Sequence, residues 1–370
     1  MRTLFLIFHG FDPNNGISQK ISYQVEALKA CCMEVHLCYM DESQTKRRLV
    51  DGTVIADYGK GTISKIKKRT EFSSIIRYAE KEQIDFVYIR SNHNANPFTI
   101  WMVKQMKKNG MKVVMEIPTY PYDSEYRAQG MDKQIFQDKI FRNYLAKQLD
   151  AIVTFSDYER IFGQKTIRIS NGIDFNSIKK KSSHKKNLHE LNLIGVAEIH
   201  PWHGFDRIIN GLADFYNRTQ DFIVRFHVVG YFFFDEDERQ FRKMISQKHL
   251  ESYVILHGKR HGKELDDLFE ICDFGIGSLG RHRVGIQTIK TLKNREYAAR
   301  GIPFIYSEND SDFDNKPYVL KAPADESPID IERIVKFSQQ HFFSPQEIRD
   351  SIKELSWEHQ MRKVLRCVFA

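Results

Sequence analysis

The sequence predicts an α/β protein made of two Rossmann-like halves in tandem, each a parallel sheet covered by helices. Three observations carry this prediction. Short apolar runs alternate with longer segments of helical period. The alternation stops once, in a polar, lysine-rich stretch, and then restarts. The 370 residues also exceed what a single hydrophobic core ordinarily holds. Strands that alternate with helices pair in parallel through crossover connections, and parallel strands are buried on both faces, so they read as continuous apolar runs.

In chain order, the first half offers TLFLIF (3–8), EVHLCYM (34–40), FVYIR (86–90), KVVMEI (112–117) and AIVTFS (151–156) as strands. Helical periods fill the gaps. SQKISYQVEALKA follows the first strand, and NPFTIWMVKQMKKNG closes with Gly110 as a C-terminal cap. An interdomain linker is expected at 169–187, where the turn pair Asn171-Gly172 precedes the lysine run. The second half, 188–345, offers LNLIGVAE, FIVRFHVVG, YVILHG, FGIGSLG and PFIYS as strands. Gly230 is expected to end the second of these. GFDRIINGLADFYN and KELDDLFEIC are among its helices, and a last helix in 346–370 is expected to pack back towards the N-terminal domain, residues 1–168.

Composition narrows the function classes. Lys and Arg number 56 against 48 Asp and Glu, a net charge of +8. That excess fits anionic ligands or an anionic membrane surface. The basic residues are not interleaved with any recognition module, so no nucleic acid partner is expected. The five cysteines (Cys31, Cys32, Cys38, Cys272, Cys367) include no CxxC pair, which argues against a zinc site or a disulfide framework and for a reducing compartment. The apolar start MRTLFLIFHGF is too short for a signal segment, and no run of ~18 apolar residues occurs. A cytoplasmic location is expected, with peripheral membrane contact through two basic clusters, SKIKKR (64–69) and VKQMKKN (103–109), the second beside Phe98 and Trp101.

HGFDPNNGISQKI (9–21) has the strand, glycine turn and helix layout of a phosphate-binding corner. Neither the GxxxxGK[ST] nor the GxGxxG spacing is present. What remains is a helix opening at Gly16, Ile17 and Ser18, whose free N–H groups can face an anion. Asp235, Glu236 and Asp237 form a DxD-like run after an aromatic stretch. Acids are also favoured in a first helical turn, and a helical period begins here, so no metal site is expected.

Several segments of the second half occur in a telling order: SNGID, GVAEIHPWHGFDRII, HVVGY, VILHGK, ELDDLFEICDFGIGSLG and LKNREYAARGIPFI, with SWEHQMRKVL near the end. In this order they resemble the GT-B glycosyltransferases, specifically the retaining, nucleotide-sugar-dependent family 4 type. The resemblance implies two Rossmann-like domains facing across a cleft, an acceptor bound by the first and a nucleotide-diphosphate sugar bound by the second. No bound cofactor is implied. It places Glu296 on the nucleotide ribose, where a carboxylate accepts from two hydroxyls, and puts Arg283, Lys293 and Lys259 among the candidates for the leaving diphosphate, whose charge must be stabilised. Gly16, Gly230 and the backbone of Gly285, Ile286 and Gln287 complete the expected donor contacts.

Two positions depart from the family pattern. Glu198 and His203 stand where an Arg and a Lys are usual, leaving His203 either a hydrogen-bond donor to phosphate or a packing residue beside Trp202. Thr288 stands where the first of two glutamates normally touches the donor sugar.

On the acceptor side, MEIPTYPYDSEY (115–126) offers Tyr120 and Tyr122 for stacking on sugar faces and Glu116 and Asp123 for hydroxyls, with His93 in the nearby SNHNANP loop. Glu125 in the same segment is expected to be dispensable for donor binding. The function implied is transfer, with retention, to a glycan or lipid-linked saccharide in bacterial surface polysaccharide assembly. A non-catalytic sugar-nucleotide or glycan-binding protein and a GT-B epimerase are the alternatives.

Overall fold

The computed structural model describes residues 1–12, 16–93, 95–123, 131–182, 189–218 and 221–370. The chain divides into two compact units, Met1–Ser170 with Trp357–Ala370, and Asn171–Ser356. Among the described residues the first unit holds strands β1 (Arg2–Gly10), β2 (Glu34–Asp41), β3 (Arg47–Val50), β4 (Thr53–Asp57), β5 (Phe86–Arg90), β6 (Lys112–Ile117), β7 (Ala151–Thr154), β8 (Arg160–Ile161) and β9 (Gln164–Arg168). They form one sheet in the order β4-β3-β2-β1-β5-β6-β7-β9-β8. The central strands run parallel, with Thr3 of β1 paired to Val35 of β2 on one side and Phe86 of β5 on the other.

The run LFLI in β1 is fully buried because both faces of the sheet are covered. Successive side chains point to opposite faces. Leu4 and Leu6 enter a core with Ile75, Met102, Met106 and Leu145, while Phe5 and Ile7 enter another with Ile21, Val25 and Leu28. The second core also takes Trp357, Met361, Val364 and Val368 of the closing helix Trp357–Phe369. Their spacing of four, three and four residues is one stripe of an amphipathic helix.

Within Asn171–Ser356 the described strands are β10 (Glu190–Ile199), β11 (Ile223–Phe232), β12 (Val254–Gly258), β13 (Phe274–Ile276), β14 (Phe304–Tyr306) and β15 (Val319–Lys321). They pair in parallel in the order β12-β11-β10-β13-β14-β15. One face packs Phe205, Ile208, Leu212, Phe241 and Ile334, the other Phe269, Tyr297, Ala298 and Ile348. Both units therefore have the doubly wound layout that the alternating pattern predicts.

Three details differ from the sequence reading. The β3–β4 pair is an antiparallel hairpin closed by Asp51 (φ 49°) and Gly52 (φ 84°), a two-residue turn with both residues left-handed. Its Asp-Gly signal, between Leu49-Val50 and Thr53-Val54-Ile55, was present but joins two strands of only four and five residues. Phe162 (φ 51°) and Gly163 (φ 81°) close β8 onto β9 in the same way, here with an unusual bulky residue in the turn. Finally, Gly230 does not end its strand. β11 continues to Phe232, and Gly230 (φ 127°) lies so close to β10 that a Cβ would sit 1.6 Å from the Ala197 carbonyl oxygen. Residues 183–187 of the expected linker at 169–187 lie outside the described residues. Its residues 171–182 belong to the second unit, where Arg349 donates to the Phe175 and Ile178 carbonyls.

Candidate functional site

The strand order of the second unit reverses at β10. Its crossover to β11 runs one way, and β13 flanks it on the other side. Ligands of open parallel sheets bind at the carboxyl ends of the strands beside such a switch point. Here β10 leads into His200 and the short turn Pro201–His203, then through Gly204 into the helix Phe205–Tyr216. β13 leads into Gly277–Gly280 and the turn Arg281–Val284. Two backbone bonds tie these exits together, Leu279 N–H to the His203 oxygen (3.0 Å) and Gly280 N–H to the Trp202 oxygen (3.1 Å). β14 joins through Ser307 N–H to the Ser278 oxygen (3.0 Å). The helix Leu292–Arg300 carries Lys293 and Glu296.

His203 is buried, and its Nδ1 accepts the His200 N–H at 3.1 Å. An accepting Nδ1 requires the proton of the neutral ring on Nε2. Burial, then the charges of Lys293 and Arg281, hold this histidine far below the usual imidazole range, so it stays neutral. It is a fixed N–H donor, not a cation. The ammonium of Lys293 is shielded from solvent and has no hydrogen-bond partner among the described residues. Burial and the nearby Arg281 push it well below the usual lysine range, against the opposing pull of Glu308. Arg281 lies 5.7 Å from the Trp202 ring.

Arg283, expected at the phosphates, is occupied elsewhere. It grips Asp206 with both terminal nitrogens (2.9 and 2.7 Å) and also binds Glu326, and these hydrogen bonds raise it above the usual arginine range. A guanidinium facing two carboxylates has little charge left to offer a phosphate. The sequence reading missed its neighbour, Arg281. Both belong to the run RHR, and a tight turn sends residues two apart in different directions.

Glu296 accepts from Arg300 Nε at 3.0 Å, the i+4 pair. Its side chain is 27% exposed, so solvent reaches part of it. Lys259 rests 3.8 Å over the Tyr231 ring, whose hydroxyl donates to Glu198. Gly285 (φ 70°) ends the arginine turn, and the Ile286 N–H donates to the Arg281 oxygen. The Gln287 carbonyl accepts from Asn309 N–H at 2.7 Å, and Thr288 forms a β-bridge with the same Asn309. Ser278 and Glu308, also missed, flank this arrangement. Both oxygens of Glu308 are shielded and have no partner from any other described residue.

Burial raises the Glu308 carboxyl from 4.5 to about 7, with its own backbone N–H and Arg281 opposing. Between those two values the folded chain holds a proton that the unfolded chain has lost. Stability therefore falls as pH rises through that window, and the loss is complete above about 7. The penalty is on the order of 3 kcal/mol. Glu308→Gln is accordingly expected to raise the melting temperature at pH 8 and leave it unchanged at pH 4. Thermal denaturation at both values checks this, and equal effects at the two pH values would contradict it.

In the first unit Gly16 opens the helix Gly16–Ala30, and Ser18 Oγ accepts the Asp12 N–H at 3.1 Å. Beside them is a cavity of about 690 Å³ reached by His9, Asp12, Ser18, Tyr39 and Asn92. Residues 13–15 of the glycine turn lie outside the described residues. Several acceptor candidates prove to be framework. Glu116 is fully buried, accepting from Gln24 (2.6 Å), Tyr88 (2.7 Å) and Arg90, with Lys20 at 3.7 Å. Burial pushes its carboxyl up, but these partners outweigh that and hold it below the usual range. Tyr122 is 2% exposed and donates to Asp138 at 2.5 Å, so it offers no face to a sugar. His93 (φ 48°) packs its ring 3.8 Å from Tyr122, and burial lowers it to about 4. Asp123 is paired to Arg142 (2.8 Å) and Lys139 (3.0 Å). Tyr120 is only half-buried, edge-on to Tyr158 and Phe162. Glu125 lies outside the described residues. The DxD-like acids fall in the first turn of the helix Asp235–Gln247, where Glu236 pairs with Arg239.

No protein-family model matches the chain, and no curated protein matches it. Solved structures do match over nearly its full length. A sucrose-phosphate synthase from Thermosynechococcus elongatus aligns with a TM-score of 0.66 at 13% identity, covering 100% of this chain and 98% of that one. HepE of Anabaena, in complex with UDP, aligns with a TM-score of 0.65 at 12% identity, covering 99% of both chains. The chain has the GT-B fold. A glycosyltransferase from Rickettsia africae shares it, with a TM-score of 0.63 at 12% identity and coverage of 99% of this chain and 97% of that one. At such identities what the comparison shows to be common is the GT-B fold.

Proposed function

We propose that this chain is a retaining, nucleotide-sugar-dependent glycosyltransferase of the family 4 type. The second unit takes the donor, and the first takes a glycan or lipid-linked saccharide acceptor in bacterial surface polysaccharide assembly. The observation that carries the reading is the set of groups at the carboxyl ends of β10 and β13. There a neutral N–H donor (His203) and Arg281 lie near the Lys293 amino group, which has no partner among the described residues, and the same helix carries the partly exposed Glu296. Those groups match a diphosphate and a ribose diol. Binding UDP, as HepE does, supports the same assignment. The cations offset the charge that grows on the leaving diphosphate, a contribution worth several kcal/mol in dry sites. In a front-face transfer the leaving phosphate oxygen takes the acceptor hydroxyl proton while that hydroxyl's oxygen bonds to the sugar carbon. Such a step needs no separate protein base.

Thermal shifts with UDP, GDP, ADP, CMP and their sugars test the reading. A ligand at one hundred times its Kd adds about 2.7 kcal/mol of stability. Absence of any shift across the panel would count against donor binding. Release of free sugar from the donor without acceptor separates an enzyme from a mere binder.

Peripheral attachment to an anionic bilayer belongs to the same proposal. Ile63 (68% exposed), Ile66, Phe98, Trp101 and Phe136 stand out from three neighbouring helices of the first unit, Gly61–Thr70, Pro97–Lys108 and Asp132–Ala146. Lys65, Lys68, Arg69 and Lys133 line the groove beside them. Each basic residue near such a surface contributes about 1 kcal/mol. Co-sedimentation with phosphatidylserine vesicles is expected, lost in 0.5 M salt, which compresses screening to a few ångströms (about 3 Å at 1 M). Ile63→Ser with Trp101→Ser should weaken it. Equal sedimentation with neutral vesicles would refute the electrostatic part.

A further inference from the structure

We infer that Glu308 is a specificity-determining residue for the transferred sugar, accepting hydrogen bonds from its hydroxyls. The inference deepens the donor reading above and rests on it. Four polar groups without partners from other described residues lie on adjoining segments: both oxygens of Glu308, the Lys293 amino group, the Ser278 hydroxyl and the Asn294 carbonyl oxygen. They come from three elements. Ser278 lies two residues past β13 and Glu308 two past β14, and Ser307 N–H bonds to the Ser278 oxygen. Lys293 and Asn294 lie in the first turn of the helix Leu292–Arg300. The Asn294 oxygen faces Gly277, where a Cβ would stand 3.0 Å from it, and its amide donates to Asp310.

A protein seldom leaves four buried polar groups unmatched at one place, because each costs the full desolvation of that group. The chemistry of these groups selects what they would bind. Ionised, Glu308 only accepts, and the Lys293 amino group donates whether or not it is charged. A phosphate has nothing to donate and is repelled by Glu308. A cation is repelled by Lys293 and by Arg281, both close enough to bias one another's charge. A hydroxyl donates to Glu308 while accepting from Lys293, and a vicinal pair of hydroxyls serves both carboxylate oxygens at once. The occupant is therefore a neutral polyol. Lys293 and Arg281 also act on His203, so the polyol's place adjoins the phosphate groups. A sugar esterified to a diphosphate has that arrangement.

Binding by the full-length protein of UDP, GDP and ADP, and of UDP-glucose, UDP-galactose, UDP-N-acetylglucosamine, GDP-mannose and ADP-glucose, is compared by calorimetry for wild type, Glu308→Ala and Ser278→Ala. Wild type is expected to prefer one nucleotide sugar over its own nucleotide. Glu308→Ala should lose that preference by at least tenfold while binding the bare nucleotide within twofold of wild type. Ser278→Ala should lose a smaller part, and the melting curve of each variant shows that it is folded. A preference retained in Glu308→Ala overturns the inference and leaves the donor reading intact. So does a wild type that binds nucleotide without any preference for a sugar. Equal loss of nucleotide and nucleotide sugar assigns Glu308 to the nucleotide and also overturns it. A wild type that binds no nucleotide and no nucleotide sugar overturns the donor reading and this inference together.

Discussion

Glu296→Ala is expected to lose nucleotide affinity by about a hundredfold or more while remaining folded. The wild-type carboxylate keeps one oxygen on Arg300 at 3.0 Å, and its side chain is partly exposed. A ribose diol adds hydrogen bonds to a charged group, each worth roughly 1.5–3 kcal/mol. Losing two of them removes about 3 kcal/mol at the least, and every 1.4 kcal/mol is tenfold in Kd. The fold is insulated from the change. Arg300 retains Asp266 at 2.7 Å and lies 4.0 Å over the Phe269 ring, so no buried guanidinium is stranded. Glu296→Gln should fall between, keeping one acceptor without the charge. Glu332→Ala, on an exposed turn and paired only to Lys336, is the control. Nucleotide titration by calorimetry decides the matter, and unchanged affinity in Glu296→Ala removes the ribose assignment.

Arg295→Met is expected to be the most destabilising of these substitutions, by about 3–5 kcal/mol. Arg295 and Asp310 are both fully buried and joined by two bonds, at 2.5 and 3.1 Å. Arg295 also binds Asp312 and the carbonyls of Asn171 (3.1 Å) and Thr291 (3.0 Å). Methionine fills similar volume but leaves the Asp310 carboxylate in a dry site with only the Asn294 amide and backbone bonds. For a unit of this size the melting temperature should drop on the order of 10 °C. Adding Asp310→Asn removes the stranded charge and is expected to restore part of the loss. Non-additivity of the two changes is the signature of a direct pair. A single substitution with no more than the median surface effect would show that the pair contributes nothing net.

The two substitutions differ in how far their reasons could be read along the chain. The Glu296–Arg300 pair is a matter of helix geometry, since residues four apart share a face. The Arg295–Asp310–Asp312 cluster joins a helix to a loop beyond the next strand, and nothing in LKNREYAARG separates Arg295 from a solvated arginine. Tyr122 and Glu116 went astray for the same reason in reverse. The segment around them is polar and rich in proline, yet Tyr122 is covered by His93 and Phe162, and Glu116 is enclosed by Gln24, Tyr88 and Arg90. The Asp51-Gly52 hairpin was a local signal that apolar periodicity overshadowed.

By itself the chain's residue order determined two largely parallel sheets, the succession of most strands and helices, and the left-handed Gly110 (φ 83°) just past the helix Pro97–Lys108. These follow from periods of two and 3.6 residues and from turn chemistry, all set within a few neighbours. Only the tertiary structure decided which charges are cancelled and which remain. Arg283 meets Asp206 and Glu326, which lie 77 and 43 residues away along the chain, while the Lys293 amino group and the Glu308 carboxyl meet no other side chain among the described residues. A charge's availability depends on what stands within about 4 Å and on how much water reaches it, and both are properties of packing, not of sequence distance.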